Sequence, residues 1–163
     1  MADEIIENHA GQGVLWHNAP DAQNMTDPQD RYRRYLETLS PDTLSSLGEF
    51  VSPDVRFKDP FNDVRGVDAM QQVFRHMFEN VDDIRFTVSN VAMDGQVCMM
   101  NWRFDARLRG QPWSFDGASI VTFSPNGLVA EHIDHWDAGR DFYERLPVIG
   151  WLLAWLRGRL AVR

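Results

Sequence analysis

Between Ile84 and Trp136 the chain reads as four strand-like runs in succession: IRFTVSNVAM, QVCMMNWRFDARL, WSFDGASIVTF and LVAEHIDHW. The breaks between them are Asp94-Gly95, Arg109-Gly110-Gln111-Pro112 and Pro125-Asn126-Gly127, residues that close hairpins. Strands joined this tightly run antiparallel, because a parallel crossover needs about a dozen residues or more. The second half of the chain is therefore expected to be a meander, which leaves the helices to the flanks.

The first half supplies them. Thr26-Asp27-Pro28 is a helix start, and Tyr32, Tyr35, Leu36 and Leu39 form an apolar stripe behind it. Ser40-Pro41-Asp42 stops that helix and opens a second one, with Leu44, Leu47, Phe50 and Val51 at helical spacing. Asp54 to Pro60 alternates like a strand, and FNDVRG turns the chain. Val67 to Asn80 carries the clearest stripe: Val67, Met70, Val73, Phe74, Met77 and Phe78, continued by Val81. Helices, a strand, a helix and then a sheet make an α+β domain with its helices on one sheet face.

The 163 residues divide into a flexible arm over 1–25, a domain over 26–145 and an apolar C-terminal helix over 146–163. Pro147 and Gly150 are expected to break the helical tail in two. A net charge of −8 argues against nucleic acid, whose phosphates need a basic surface. The start of the chain lacks the pattern of a signal peptide, and the lone Cys98, read as a small buried residue, fits a reducing compartment. A cytoplasmic protein is expected. The tail's Trp151, Leu152, Leu153, Trp155, Leu156 and Leu160, with Arg157, Arg159 and Arg163, would suit packing first. Weak membrane-surface contact through 147–163 is the lesser expectation.

Alternate residues of a strand share a face, so His132, Asp134 and Trp136 point together. An imidazole and a carboxylate on one face are costly to bury without purpose. The same parity allows Phe57 with Asp59, Arg103 with Asp105, and Trp113 with Ser119 to join them on the concave side. His132 and His135 fall on opposite faces, so no metal site is expected, nor any cofactor. His76, in the middle of a helix, reads as a surface residue. The 97–108 run has large groups on both faces, whereas helices cover only one. Its polar face has the better claim to a pocket, so its apolar face is expected to meet a second subunit in a homodimer through the sheet.

The order of elements and three local motifs resemble the nuclear-transport-factor-like superfamily, over about residues 27 to 145. That superfamily includes SnoaL-like polyketide cyclases, ketosteroid isomerases and limonene epoxide hydrolases. The resemblance implies a curved antiparallel sheet wrapped by helices into a cone, a cystatin-like α+β roll. Asp59, in FKDPF, resembles the isomerases' proton-shuttling aspartate, Tyr35 their oxyanion-hole tyrosine and Trp136 a pocket tryptophan. Ser119 stands where those enzymes have a protonated aspartic acid. Arg103-Phe104-Asp105 is similar to the R-x-D of the epoxide hydrolases, and Asp134-His135-Trp136-Asp137 to the motif of their last strand. In that likeness Asp134 takes a proton from water, Asp105 protonates the epoxide oxygen and Arg103 ties the two carboxylates together. Phe57 and Asp59 replace a tyrosine and an asparagine that hold the water. The resemblance thus implies acid/base chemistry on a small, apolar, oxygenated molecule. The alternatives are a module that binds an apolar ligand or lipid unchanged, and a dimeric interaction scaffold.

Overall fold

A computed structural model of the protein describes residues 27–147 and 149–160. The arm expected over 1–25 lies outside the described residues. The first helix, α1 (Pro28–Glu37), has Pro in its first turn and buries Tyr32, Tyr35 and Leu36. The second helical stretch is a 3-10 segment, Leu44–Glu49, rather than an α-helix. It stops early because Val51 already begins a strand. That strand, β1 (Val51–Lys58), starts before the expected Asp54 and ends short of Asp59. FNDVRG is more than a turn, since it contains the short strand β2 (Asp63–Arg65), paired antiparallel with β1. Helix α2 (Val67–Asn80) has the expected bounds.

The meander forms as β3 (Asp82–Asp94), β4 (Val97–Leu108), β5 (Gln111–Phe123) and β6 (Val129–His135). These strands make one six-stranded sheet in the order β2-β1-β6-β5-β4-β3. Its one parallel pair is β1 with β6, which sets Phe57 beside His132. Beyond β6 come a short helix, α3 (Ala138–Asp141), a 3-10 turn (Tyr143–Arg145) and α4 (Ile149–Leu160). Pro147 falls in the break before α4, but Gly150 lies inside the helix and does not interrupt it.

One layer of side chains fills the space between helices and sheet. Tyr32, Tyr35, Leu36, Leu47, Val55, Phe57, Met70, Phe74, Cys98, Met100, Val121 and Phe123 belong to one buried cluster. Trp102, Phe104, Ala106, Trp113 and Phe115 form a second. The membership of β4 corrects an expectation. Its apolar residues Cys98, Met100, Trp102 and Phe104 face the protein's own core and are buried within a single chain. Arg103 and Asp105 point to the outside of the sheet. Burying five consecutive inward positions of β4 removes far more apolar area from water than the charged face would, so the hydrophobic term decides the strand's orientation.

Candidate functional site

The register of β4, β5 and β6 builds the polar core. Met100, Ser119 and Asp134 lie side by side in one cross-strand row, and Val121, His132 and Phe57 in the next. In the adjoining row Trp102 is opposite Gly117. A β-carbon at Gly117 would run into the Trp102 six-membered ring. The glycine therefore lets the indole lie across β5, where Nε1 donates to Ser119 Oγ at 2.8 Å.

Ser119 Oγ in turn donates to Asp134 Oδ1 at 2.5 Å. His132 Nε2 is 2.8 Å from the same oxygen, and His132 Nδ1 is 2.7 Å from the Tyr32 hydroxyl. An ionised carboxylate only accepts, so Nε2 carries the hydrogen. In the neutral ring Nδ1 is then an acceptor, and Tyr32 donates to it. The chain of bonds runs Tyr32 to His132 to Asp134, with Trp102 and Ser119 feeding the same carboxylate from the other side. His132 is 2% exposed and Ser119 0%, whereas the Asp134 side chain keeps 17% of its surface.

Both network donors to Asp134 converge on Oδ1. Oδ2 has no hydrogen-bond partner among the described residues, yet the only buried side-chain polar atom there without a partner is the Tyr35 hydroxyl. Among the described residues Oδ2 is thus the oxygen left without a donor, on a side chain that keeps 17% of its surface exposed. Asp134 is the most exposed member of an otherwise buried relay. Burial, with the charge of Asp134 and the neighbouring Tyr35 adding to it, drives the Tyr32 phenol well above its ordinary pKa. Tyr32 thus stays protonated and able to donate.

Aromatic rings gather at the same end of the sheet. Trp136, the next residue on the face of Asp134, stacks on Phe115 at 4.5 Å and meets Phe61 edge-on at 5.3 Å. Phe61 also touches Phe142 and Tyr143 from the segment after β6. Trp113 Nε1 fastens that segment by donating to the carbonyl of Asp141 at 2.8 Å. Two cavities lie elsewhere. One, of about 60 Å³, is apolar and lined by Leu36, Leu39, Phe74, Met77, Phe78, Ile84, Phe86 and Phe104. The other is a surface groove of about 330 Å³ beside Pro41, Leu44, Arg75, Phe78 and Glu79.

The structure thus brings together Ser119, His132 and Asp134, with Phe57 packed edge-on to the imidazole at 5.4 Å and Trp113 and Trp136 close by. It does not bring Arg103 and Asp105 to them. Arg103 is 52% exposed on the outer face and pairs with Asp105 and Asp116, both at 3.2 Å. Ser114, donating to Asp105, and the Arg103 charge hold that carboxyl below its ordinary pKa. Asp59 also stands apart. One of its carboxylate oxygens caps a turn by accepting from the backbone N–H groups of Phe61 and Asn62, and both oxygens take up the Asn62 amide. That turn carries Phe61, whose ring meets Trp136. Tyr35 packs face to face on Phe50 at 4.4 Å, and its hydroxyl has no partner among the described residues. The tyrosine at the site is Tyr32, which lies on the same helical stripe as Tyr35 and is not distinguished from it by spacing. Trp102 joins the site as a donor that alternation alone does not reveal; the sequence signal for it is a large indole with a glycine on the neighbouring strand. His135 and His76 are exposed.

The SnoaL-like domain family model matches residues 32–132, from Tyr32 within α1 through α2 and along the sheet as far as His132. No curated protein matches the chain. Among solved structures, an NTF2-like protein of unknown function from Exiguobacterium sp. 255-15 is 19% identical, with a TM-score of 0.58 over 66% of this chain and 95% of its own. An LEH-like epoxide hydrolase of M. tuberculosis is 14% identical, with a TM-score of 0.58 over 83% of this chain and 92% of its own. A protein with a ketosteroid isomerase-like fold from Catenulispora acidiphila DSM 44928, solved with trimethylamine, is 10% identical. Its TM-score is 0.58, over 68% of this chain and 85% of its own. At these identities the likeness is one of fold.

Proposed function

From the premise that the chain belongs to the SnoaL-like domain family, we propose that it is a proton-transfer enzyme with Asp134 as general base. One observation carries this reading: Asp134 Oδ1 takes the bonds of Ser119 and His132, while Oδ2 has no donor among the described residues and the side chain stays 17% exposed. The two donors fix the carboxylate, and the free oxygen is the one that takes a proton from a substrate. Tyr32 locks the imidazole from behind and so keeps Nε2–H directed at Asp134. The aromatic wall of Trp136, Phe115 and Phe61 suits an apolar molecule, and a carbonyl or hydroxyl would give it the acidic proton.

Within this reading the isomerase or cyclase branch is favoured over epoxide hydrolysis. The latter needs a second carboxylate and an arginine beside Asp134, and Arg103 and Asp105 lie on the other face of β4. The test is turnover of a panel of β,γ-unsaturated cyclic ketones, with cyclic epoxides as the competing branch. Asp134→Asn is expected to cost about 10²- to 10⁴-fold in kcat, the usual contribution of a positioned base. Full activity in that variant overturns the assignment.

A second reading is a non-catalytic binding module. It is favoured by the aromatic wall of Trp136, Phe115 and Phe61, which suits an apolar ligand held unchanged as well as a substrate. Native mass spectrometry recovering an unaltered apolar ligand would support it. In either case a homodimer through the sheet would use the outer face. There Met99, Ile120 and Ile133 lie in one cross-strand row, and Met99 and Ile120 are 49% and 39% exposed.

A further inference from the structure

Helix α4 belongs neither to the cone nor to the site, and its surface is unlike the rest of the chain. Of its residues only Gly150 is buried. Gly150 packs against the backbone of Glu144, where a β-carbon would collide with the carbonyl. Arg157 then clamps the helix by a two-pronged bond to the Glu144 carboxylate, at 2.6 and 2.8 Å. These contacts, with half-buried Leu153 and Ala154, define the inward side. At about 100° per residue, Trp151, Leu152, Trp155 and Leu156 then occupy the outward half of the cylinder, with Ile149 at its edge, while Leu160, the last residue of the helix, falls on the side of Leu153. All six are exposed, Trp151 at 68% and Leu160 at 87%.

The helix is thus held with its apolar half turned away from the domain. The one charged side chain on that half is Arg159, whose guanidinium lies 4.3 Å over the Trp155 ring. From Arg145 to the end of the sequence every charged residue is an arginine, on a chain whose net charge is −8. Twelve residues span about 18 Å, and no helix among the described residues is long and apolar enough to cross a membrane. A short helix with an apolar half, two exposed tryptophans and arginines toward its end has the makeup of one that lies in a lipid interface.

We propose that α4 docks the protein on the surface of an anionic phospholipid bilayer, with its outward half in the acyl boundary and Arg159 on the lipid phosphates. Charge complementarity favours this occupant over a second copy of the chain. The outward half carries no carboxylate, so two such faces placed together would leave their arginines unmatched, whereas a phosphate layer matches them.

The test is flotation of the full chain with vesicles of phosphatidylcholine containing phosphatidylglycerol, and with phosphatidylcholine alone. Binding to the anionic vesicles, weakened by salt and accompanied by a blue shift in tryptophan emission, is expected. Trp151→Ala combined with Trp155→Ala is expected to weaken it by about tenfold or more, and so is Arg159→Glu. These side chains are exposed, and far-UV circular dichroism should show the fold retained in both variants. Failure of the full chain to float with anionic vesicles overturns the proposal, as does undiminished binding by both variants. A third overturning result is an oligomer that the tryptophan substitutions dissociate without any vesicle binding, which would make α4 an interface between copies.

Discussion

His132 Nε2 lies 2.8 Å from Oδ1 of Asp134, the residue two places further along the same face of β6. A strand alone puts the two side chains on one face, but it does not turn the ring toward the carboxylate. The Tyr32 hydroxyl, 2.7 Å from Nδ1, does that, and Phe57 packed edge-on closes the remaining side. The pair is fixed by α1 and β1, both distant in sequence.

Ser119→Ala removes the hydroxyl that joins Trp102 to Asp134. The buried indole N–H is then left without an acceptor and the carboxylate loses one donor. A loss of about 1–3 kcal/mol is expected, read as a lower midpoint in urea unfolding.

Tyr32→Phe and Tyr35→Phe should have opposite signs. The first leaves His132 Nδ1 unpaired at a cost of about 1–3 kcal/mol, while the second deletes a buried hydroxyl that has no partner among the described residues and is neutral or stabilising by up to about 1 kcal/mol. Alkaline pH probes the same groups. Burial pushes the Tyr35 phenol from 10.0 up to about 12, and raises Tyr32 as well. A folded pKa above the unfolded one means that the native state holds the proton more tightly. The contribution is therefore complete below the unfolded value of 10.0 and is lost as pH climbs toward about 12. Unfolding midpoints measured across that window should fall in the wild type and fall less steeply in Tyr35→Phe.

Gly117→Ala forces a methyl group into the Trp102 ring. The indole must move, and Nε1 leaves Ser119. A destabilisation of about 1–3 kcal/mol from overpacking is expected, with a changed near-UV circular dichroism spectrum.

Arg103→Ala and Asp105→Ala separate the two enzyme likenesses. Their side chains are 52% and 40% exposed on the outer face, so unfolding free energy should change by no more than about 0.5 kcal/mol. Turnover by these variants should match the wild type, against the large loss expected for Asp134→Asn.

The opening feature of the sequence, four runs with hairpin breaks, specified the meander nearly to the residue, because turn chemistry and alternation are local properties. The stripe of α2 was as legible, since a helix writes its buried face into i, i+3 and i+4 spacing. Parity likewise grouped Ser119, His132, Asp134 and Trp136 correctly. It could not say which side of β4 joins them. Both faces of 97–108 are substantial, and the side facing inward follows from which one the helices and β5 cover. Asp59 illustrates the same limit: its identity suits a base or a turn equally, and only the position of the Asn62 amide shows that it makes the turn.

By itself, then, the sequence determined the elements, their order and the faces on which side chains travel together. The tertiary structure decided the rest: Tyr32 rather than Tyr35 at the imidazole, Trp102 above Gly117 as a donor, Arg103 and Asp105 outside, and the apolar half of α4 outward. Tyr32 and Tyr35 are one helical turn apart on one stripe, and a stripe has no preferred residue until the helix is set against the sheet. That setting depends on the summed burial of Leu36, Leu47, Met70, Met100 and Phe123, contacts between segments far apart in the chain that no local spacing records.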